Sequence, residues 1–236
     1  MRLLLTSQPI YSHLVPALIP LARQASAAGH EVAVATAAAM ADDLAALGVA
    51  HLPLPGVAGQ DELRTSPELA RRYGLPEQLM APGSRRVAQA VAEQISLAYA
   101  GPMALRFADE LLVAAERFKP DVIAHEPSEY GGYLVAEKLG IPHATVDMMP
   151  FQADELPLVA GSLDASRVRL GLPPTGDPWY PHRYLTAGLI PLAWYPPRLR
   201  SRTLRHYRLP ADTTPTPLPV GFPPPRDGLP VVLAGL

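Results

Sequence analysis

"RLLLTSQPIYSHLVPALIPLARQASAAGHEVAVAT", residues 2–36, holds two strand-like runs with a helix-like run between them. Residues 2–7 carry the apolar run Leu3-Leu4-Leu5, the pattern of a parallel strand covered on both faces. Residues 13–28 place Leu14, Leu18, Leu21, Ala22 and Ala25 on one helical face, with Gly29 just past the helix end. "HEVAVAT", residues 30–36, then reads as a second strand. The loop between the first strand and the helix is polar, contains Pro9 and ends in His13. Strand-to-helix loops are where α/β folds put their chemistry, which makes His13 the first candidate for a functional group.

The pattern continues outward. Residues 39–47 read as a short helix stopped by Gly48, and 50–54 as a third strand. Strand, helix, strand, helix, strand with tight glycine punctuation predicts an α/β fold: an open parallel, Rossmann-like sheet with helices on both faces. Residues 56–83 are polar and broken by Gly and Pro, a long loop of the kind that is usually functional. Helical periodicity returns over 85–118 and is expected to split at Gly101-Pro102. Strands at 121–125 and 142–148 flank a helix at 129–139 that ends at Gly140. A helix over 161–171 and a last strand over 187–195 complete the reading.

The 29 prolines crowd toward the end of the chain. Residues 209–230 cannot form helix or central strand, because proline lacks the N–H and fixes φ. They read as a linker, so residues 1–208 form the first domain and 231–236 read as the first strand of another.

Composition narrows the function. With 20 Lys and Arg against 22 Asp and Glu the net charge is −2, without the concentrated basic surface that nucleic acid requires. The dense basic run, Arg198 to Arg202, reads as a solvated segment. There is no cysteine, hence no disulfide and no thiolate metal site. The apolar start meets Thr6, Ser7 and Gln8 before a signal-peptide core can form, and no run of about 18 uncharged apolar residues exists. No membrane partner is expected, and the cytoplasm is the expected compartment.

The loop Ser7 to Ser12 has no glycine, which argues against a nicotinamide or flavin dinucleotide after the first strand, where the backbone must approach a pyrophosphate. There is no Walker loop and no Gly-x-Ser-x-Gly elbow, and the histidines lack metal-ligand spacing, so no metal is expected. His30, His125 and His143 lie within or beside strands and read as structural.

Two separated blocks resemble one family. "SHLVPALIPLARQASAAGHEV", residues 12–32, is similar to the first helix and second strand of inverting GT-B glycosyltransferases that modify natural products. "KPDVIAHEPSEYGGYLVAEKLGIPHATV", residues 119–146, is similar to that family's Pro-Asp-hydrophobic-His-Asp/Glu segment and the helix ending in Gly-Ile-Pro. The match covers most of the acceptor-binding half, and the family's donor half, with its nucleotide-sugar motif, finds no counterpart. By this resemblance His13 is the general base that takes a proton from an acceptor hydroxyl. Its partner is the carboxylate of Glu126, where many relatives carry Asp, and Glu129 stands as the alternative. Tyr11, Met80, Met148, Met149 and Phe151 are expected to hold a small lipophilic acceptor, and Ser12 to face the donor. The co-substrate is expected to be a TDP- or UDP-linked sugar, a deoxysugar among them, and a homodimer fits the class. The competing reading is a non-catalytic small-molecule-binding module, or a subunit that works with a separate donor-binding chain.

Overall fold

A computed structural model of the chain describes residues 1–75, 89–148 and 156–208. Its centre is the apolar run at the start: β1 (Arg2–Thr6) lies between β2 (Glu31–Ala37) and β4 (Val122–His125), parallel to both. The described sheet has seven strands in the order β3-β2-β1-β4-β5-β6-β7, all parallel, with β3 (His51–Leu54), β5 (His143–Asp147), β6 (Leu185–Gly188) and β7 (Leu204–His206).

Strand alternation divides the core into two layers. Leu3, Leu5, Val32 and Val34 face one cluster with Leu14, Leu18, Ile19 and Leu44, while Leu4, Ala33 and Ala35 face the other with Phe107, Leu111, Tyr133 and Leu134. The first layer comes from the π-turn Leu14–Leu18, α2 (Ile19–Ala27) and α3 (Ala41–Ala46), with the short α1 (Tyr11–His13) leading into it. The second comes from α7 (Ala104–Phe118), α8 (Tyr130–Leu139) and α9 (Leu156–Arg169). A sheet covered on both faces explains why β1 needs no polar face.

Three expectations are corrected. Residues 56–75 are not a plain loop: α4 (Gln60–Thr65) and α5 (Pro67–Arg72) form there, the second capped by the Ser66 side chain with Pro67 opening the helix. The helical stretch after α6 (Gln89–Ala98) does not split at Gly101-Pro102. It passes through a π-turn, Tyr99–Met103, into α7, the wider turn accommodating the proline's missing N–H. Of residues 187–195, only Ala187 and Gly188 lie in a strand. Leu192–Trp194 is a 3₁₀ turn, and the sheet is extended instead by β7, whose polar, arginine-bearing sequence hid a short edge strand. Met80, Met149, Phe151, the linker 209–230 and residues 231–236 lie outside the described residues.

Chain order locates the site. From β1 the chain moves outward through β2 and β3, then crosses back to β4 on the other side of β1. This reversal is a topological switch point, and the two loops leaving it, 7–10 after β1 and 126–129 after β4, share one crevice at the carboxyl end of the sheet. Gly131 and Gly132 let α8 approach that point closely. A Cβ on Gly131 would sit 2.7 Å from Phe107 Cβ, and one on Gly132 would overlap Thr6 Oγ1. Gly132→Ala is therefore expected to destabilise the protein by roughly 1–3 kcal/mol, the range for overpacking. Gly161→Ala, with nothing within 4 Å of the new methyl, should be neutral or slightly stabilising. Urea unfolding of the two variants checks this, and a Gly132→Ala midpoint equal to wild type would contradict the packing described.

Candidate active site

Loop 7–10 is buried although it is polar: Ser7 and Gln8 are essentially inaccessible. Opposite them stands Glu126, whose side chain has no exposed surface. Its carboxylate accepts from the Ser128 amide at 2.8 Å, from Ser128 Oγ at 2.8 and 2.9 Å, and from the Gln8 amide at 3.3 Å. Gln8 Nε2 in turn donates to the Ser128 carbonyl at 3.3 Å, tying the two loops together. His13 completes the group, with Nδ1 3.4 Å from Glu126 Oε1 and 3.3 Å from Ser128 Oγ. Among the described residues nothing engages the other ring nitrogen, Nε2.

The helix that carries His13 is irregular for a sequence reason. Pro16 and Pro20 cannot donate to the α-helical ladder, and the segment Leu14–Leu18 opens into a π-turn before α2 begins. Leu14, Ala17 and Leu18 are buried on that turn, so His13 is anchored one residue before a packed apolar face.

Burial pulls the His13 pKa down, but the hydrogen bond and the negative charge of Glu126 outweigh it, and the pKa ends above its ordinary 6.5. Tyr99, on the second π-turn, feels the same carboxylate: burial first and Glu126 second push its phenol up to about 12.

The two carboxylates of the Glu126-Pro127-Ser128-Glu129 loop have separate roles. Glu129 does not reach His13; it caps α8, accepting from the Gly132 amide at 2.9 and 3.1 Å and from Thr6 Oγ1. Burial pushes its pKa up to about 8, helped by the neighbouring charge of Glu126 and opposed by those hydrogen bonds. Tyr11 is exposed beside His13, as is Ser12. Met148 follows β5 directly and packs, partly buried, against the core layer that holds Leu14, Leu18 and Ile19.

Ser128 and Gln8 are site residues that sequence reasoning does not reach. The signal for Ser128 was the Glu-x-Ser spacing, which lets a carboxylate accept from the amide and hydroxyl two residues on. Gln8 carried none, since a buried loop glutamine looks like any polar turn residue. With Val57, Ala58, Tyr73, Met103, Arg106 and Phe107, Gln8 lines a small cavity on the side of α7. Among the described residues no group of three or more His, Asp or Glu could hold a metal ion, and no helix is long and apolar enough to cross a membrane.

Parallel sheet, switch point and loops together match the N-terminal half of glycosyltransferases of the GT-B fold. No family model matches the chain. It is 30% identical over 159 residues to the 10-deoxymethynolide desosaminyltransferase of Streptomyces venezuelae, covering 62% of this chain and 35% of that one. The SsfS6 glycosyltransferase of Streptomyces sp. SF2575 superimposes with a TM-score of 0.62 at 26% identity, over 89% of this chain and 54% of that one. A second structure of SsfS6 holds thymidine diphosphate. The glycosyltransferase SnogD of Streptomyces nogalater shares the fold with a TM-score of 0.65 at 24% identity, over 95% of this chain and 56% of its own. The chain thus spans about half the length of these solved relatives. In sequence and in fold it matches the N-terminal half of natural-product glycosyltransferases.

The His13–Glu126 contact sets the imidazole's proton affinity, and this can be measured directly. By NMR, His13 should titrate above 6.5 in the native chain and below 6.5 in Glu126→Gln, where burial acts without the opposing charge. An unchanged His13 titration in the variant would show that the carboxylate does not govern it.

Proposed function

We propose that this chain is the acceptor-binding half of an inverting glycosyltransferase, with His13 as the general base. The observation that carries the reading is the pairing of His13 Nδ1 with a fully buried carboxylate, 3.4 Å away, at the sheet's switch point. A carboxylate on Nδ1 fixes the tautomer with the lone pair on Nε2 and stabilises the imidazolium once that nitrogen takes a proton.

The acceptor hydroxyl gives its proton to Nε2 as its oxygen bonds to the anomeric carbon. The bond from that carbon to the nucleotide diphosphate breaks on the opposite face, inverting the configuration. The diphosphate leaves with the electron pair. The acceptor is a small lipophilic natural product held over Tyr11 and Met148, with Met80, Met149 and Phe151 as further contacts. The donor is a TDP- or UDP-sugar, a deoxysugar by likeness to the desosaminyltransferase, bound across the crevice from Ser12 by a donor-binding half. Fixing both reactants supplies roughly 7–11 kcal/mol of a barrier, and the acceptor half alone holds only one of them. We therefore assign turnover to the complete two-half enzyme.

In that complete enzyme His13→Ala should lower turnover by about 10²- to 10⁴-fold with a small change in acceptor KM, because the base acts on a proton that moves only in the transition state. Glu126→Gln should cost less, since it supports the base without touching the reacting atoms. Steady-state kinetics on folded variants check both, and near-normal turnover of His13→Ala would end the assignment.

A further inference from the structure

The opposite edge of the sheet carries a second feature. Between residues 178 and 208 the sequence holds six arginines and no Asp or Glu, in a chain whose acidic residues outnumber the basic ones 22 to 20. The structure gathers four of them. Arg183, Arg198, Arg200 and Arg202 line a cleft of ≈ 570 Å³ together with Trp179, His182, Ser201 and Thr203, and Asp177 is its one lining carboxylate. Arg183 lies two residues before β6 and Thr203 immediately precedes β7, so the cleft opens at the amino ends of the strands, away from His13.

The basic run is therefore not a plain solvated segment. Leu199 is buried and Ser201 Oγ donates to Thr186 Oγ1 at 2.9 Å, so the alternating residues Arg198, Arg200 and Arg202 are turned outward along one wall. Arg200 is held by neutral partners, Nε to the Tyr195 carbonyl at 3.0 Å and Nη2 to the Leu192 carbonyl at 3.2 Å, which fix the guanidinium without cancelling its charge. Arg183 reaches Glu137 at 2.6 Å, but the same carboxylate serves Arg167 at 3.0 Å, leaving surplus positive charge at the cleft wall. Several guanidiniums with an indole in one concavity suit a planar-forked recognition of phosphate oxygens, and the volume suits a small molecule.

We propose that this cleft binds the phosphate or diphosphate group of a small molecule, at a site separate from the sugar-transfer crevice. The group sits among Arg198, Arg200 and Arg202, with Trp179 beside whatever the phosphate is attached to; the Ser201 and Thr203 hydroxyls donate to Thr186 Oγ1 and the His182 carbonyl and so fix the wall that carries the arginines. At 150 mM salt the Debye length is about 8 Å, so attraction by scattered surface charge is screened while contact geometry persists.

The test uses the Trp194→Phe chain, in which Trp179 is the remaining indole, and follows its fluorescence at 150 mM sodium chloride. Inorganic pyrophosphate should quench it saturably with a Kd below about 1 mM, and Arg198→Ser/Arg202→Ser should weaken binding at least tenfold with unfolding unchanged. Uridine diphosphate binding more tightly than pyrophosphate identifies a nucleotide as the source, and equal binding identifies the bare diphosphate. Absence of saturation, or saturation that the double variant leaves intact, overturns the proposal. Both arginines lie outside the His13 crevice, so loss of pyrophosphate binding leaves the transferase reading untouched, and failure of that reading leaves this one standing.

Discussion

A carboxylate with no exposed surface has to be compensated where it stands, and Glu126 is compensated by the two loops that meet at the sheet's reversal point and by His13 just beyond the first of them. An unpaired buried charge costs several kcal/mol after relaxation. The Gln8 amide, the Ser128 amide and hydroxyl, and the His13 ring are therefore requirements of the fold as much as of any chemistry. They can converge only if β1 and β4 are neighbours and if loops 7–10 and 126–129 leave on the same edge. The parallel register Thr6 with His125 delivers this.

The helices around this point are shaped to let the loops approach. Prolines at 16 and 102 sit in π-turns, one directly after His13 and one on the segment that brings Tyr99 near Glu126. In both, the lost amide donor is absorbed by a wider turn while the flanking apolar residues stay packed. Gly131 and Gly132 remove side-chain bulk where α8 meets Thr6 and Phe107, and Glu129 spends its carboxylate on capping that helix. Proximity alone thus does not make Glu129 a partner of His13: two buried carboxylates three residues apart are sorted by which donors they face.

Much of this was legible in the sequence. The Leu3-Leu4-Leu5 run, the helix ended by Gly29 and the "EVAVA" strand marked the parallel unit, because strand and helix periods and glycine stops are local properties. His13 and Glu126 were legible through position at strand ends and family likeness. Less legible was whatever depended on tertiary compensation. The 3₁₀ turn at Leu192–Trp194 has the apolar composition of a strand, and β7 has the composition of a solvated edge; both are largely exposed, and main-chain pairing with β6, not propensity, decides between them. The helices within 56–75 were hidden by Gly and Pro that serve as caps and stops. The convergence of Arg198, Arg200 and Arg202 with Arg183 on one cleft was invisible because it gathers residues separated by a strand and two turns.

The central claim is that the Glu126-paired imidazole faces the atom that reacts. A crystal structure of the complete enzyme with its acceptor bound tests it most directly. The reacting hydroxyl of the acceptor is expected about 2.6–3.2 Å from His13 Nε2 with Nδ1 still turned to Glu126. An acceptor seated with that hydroxyl beyond hydrogen-bond reach of His13, and no water between them, would contradict it.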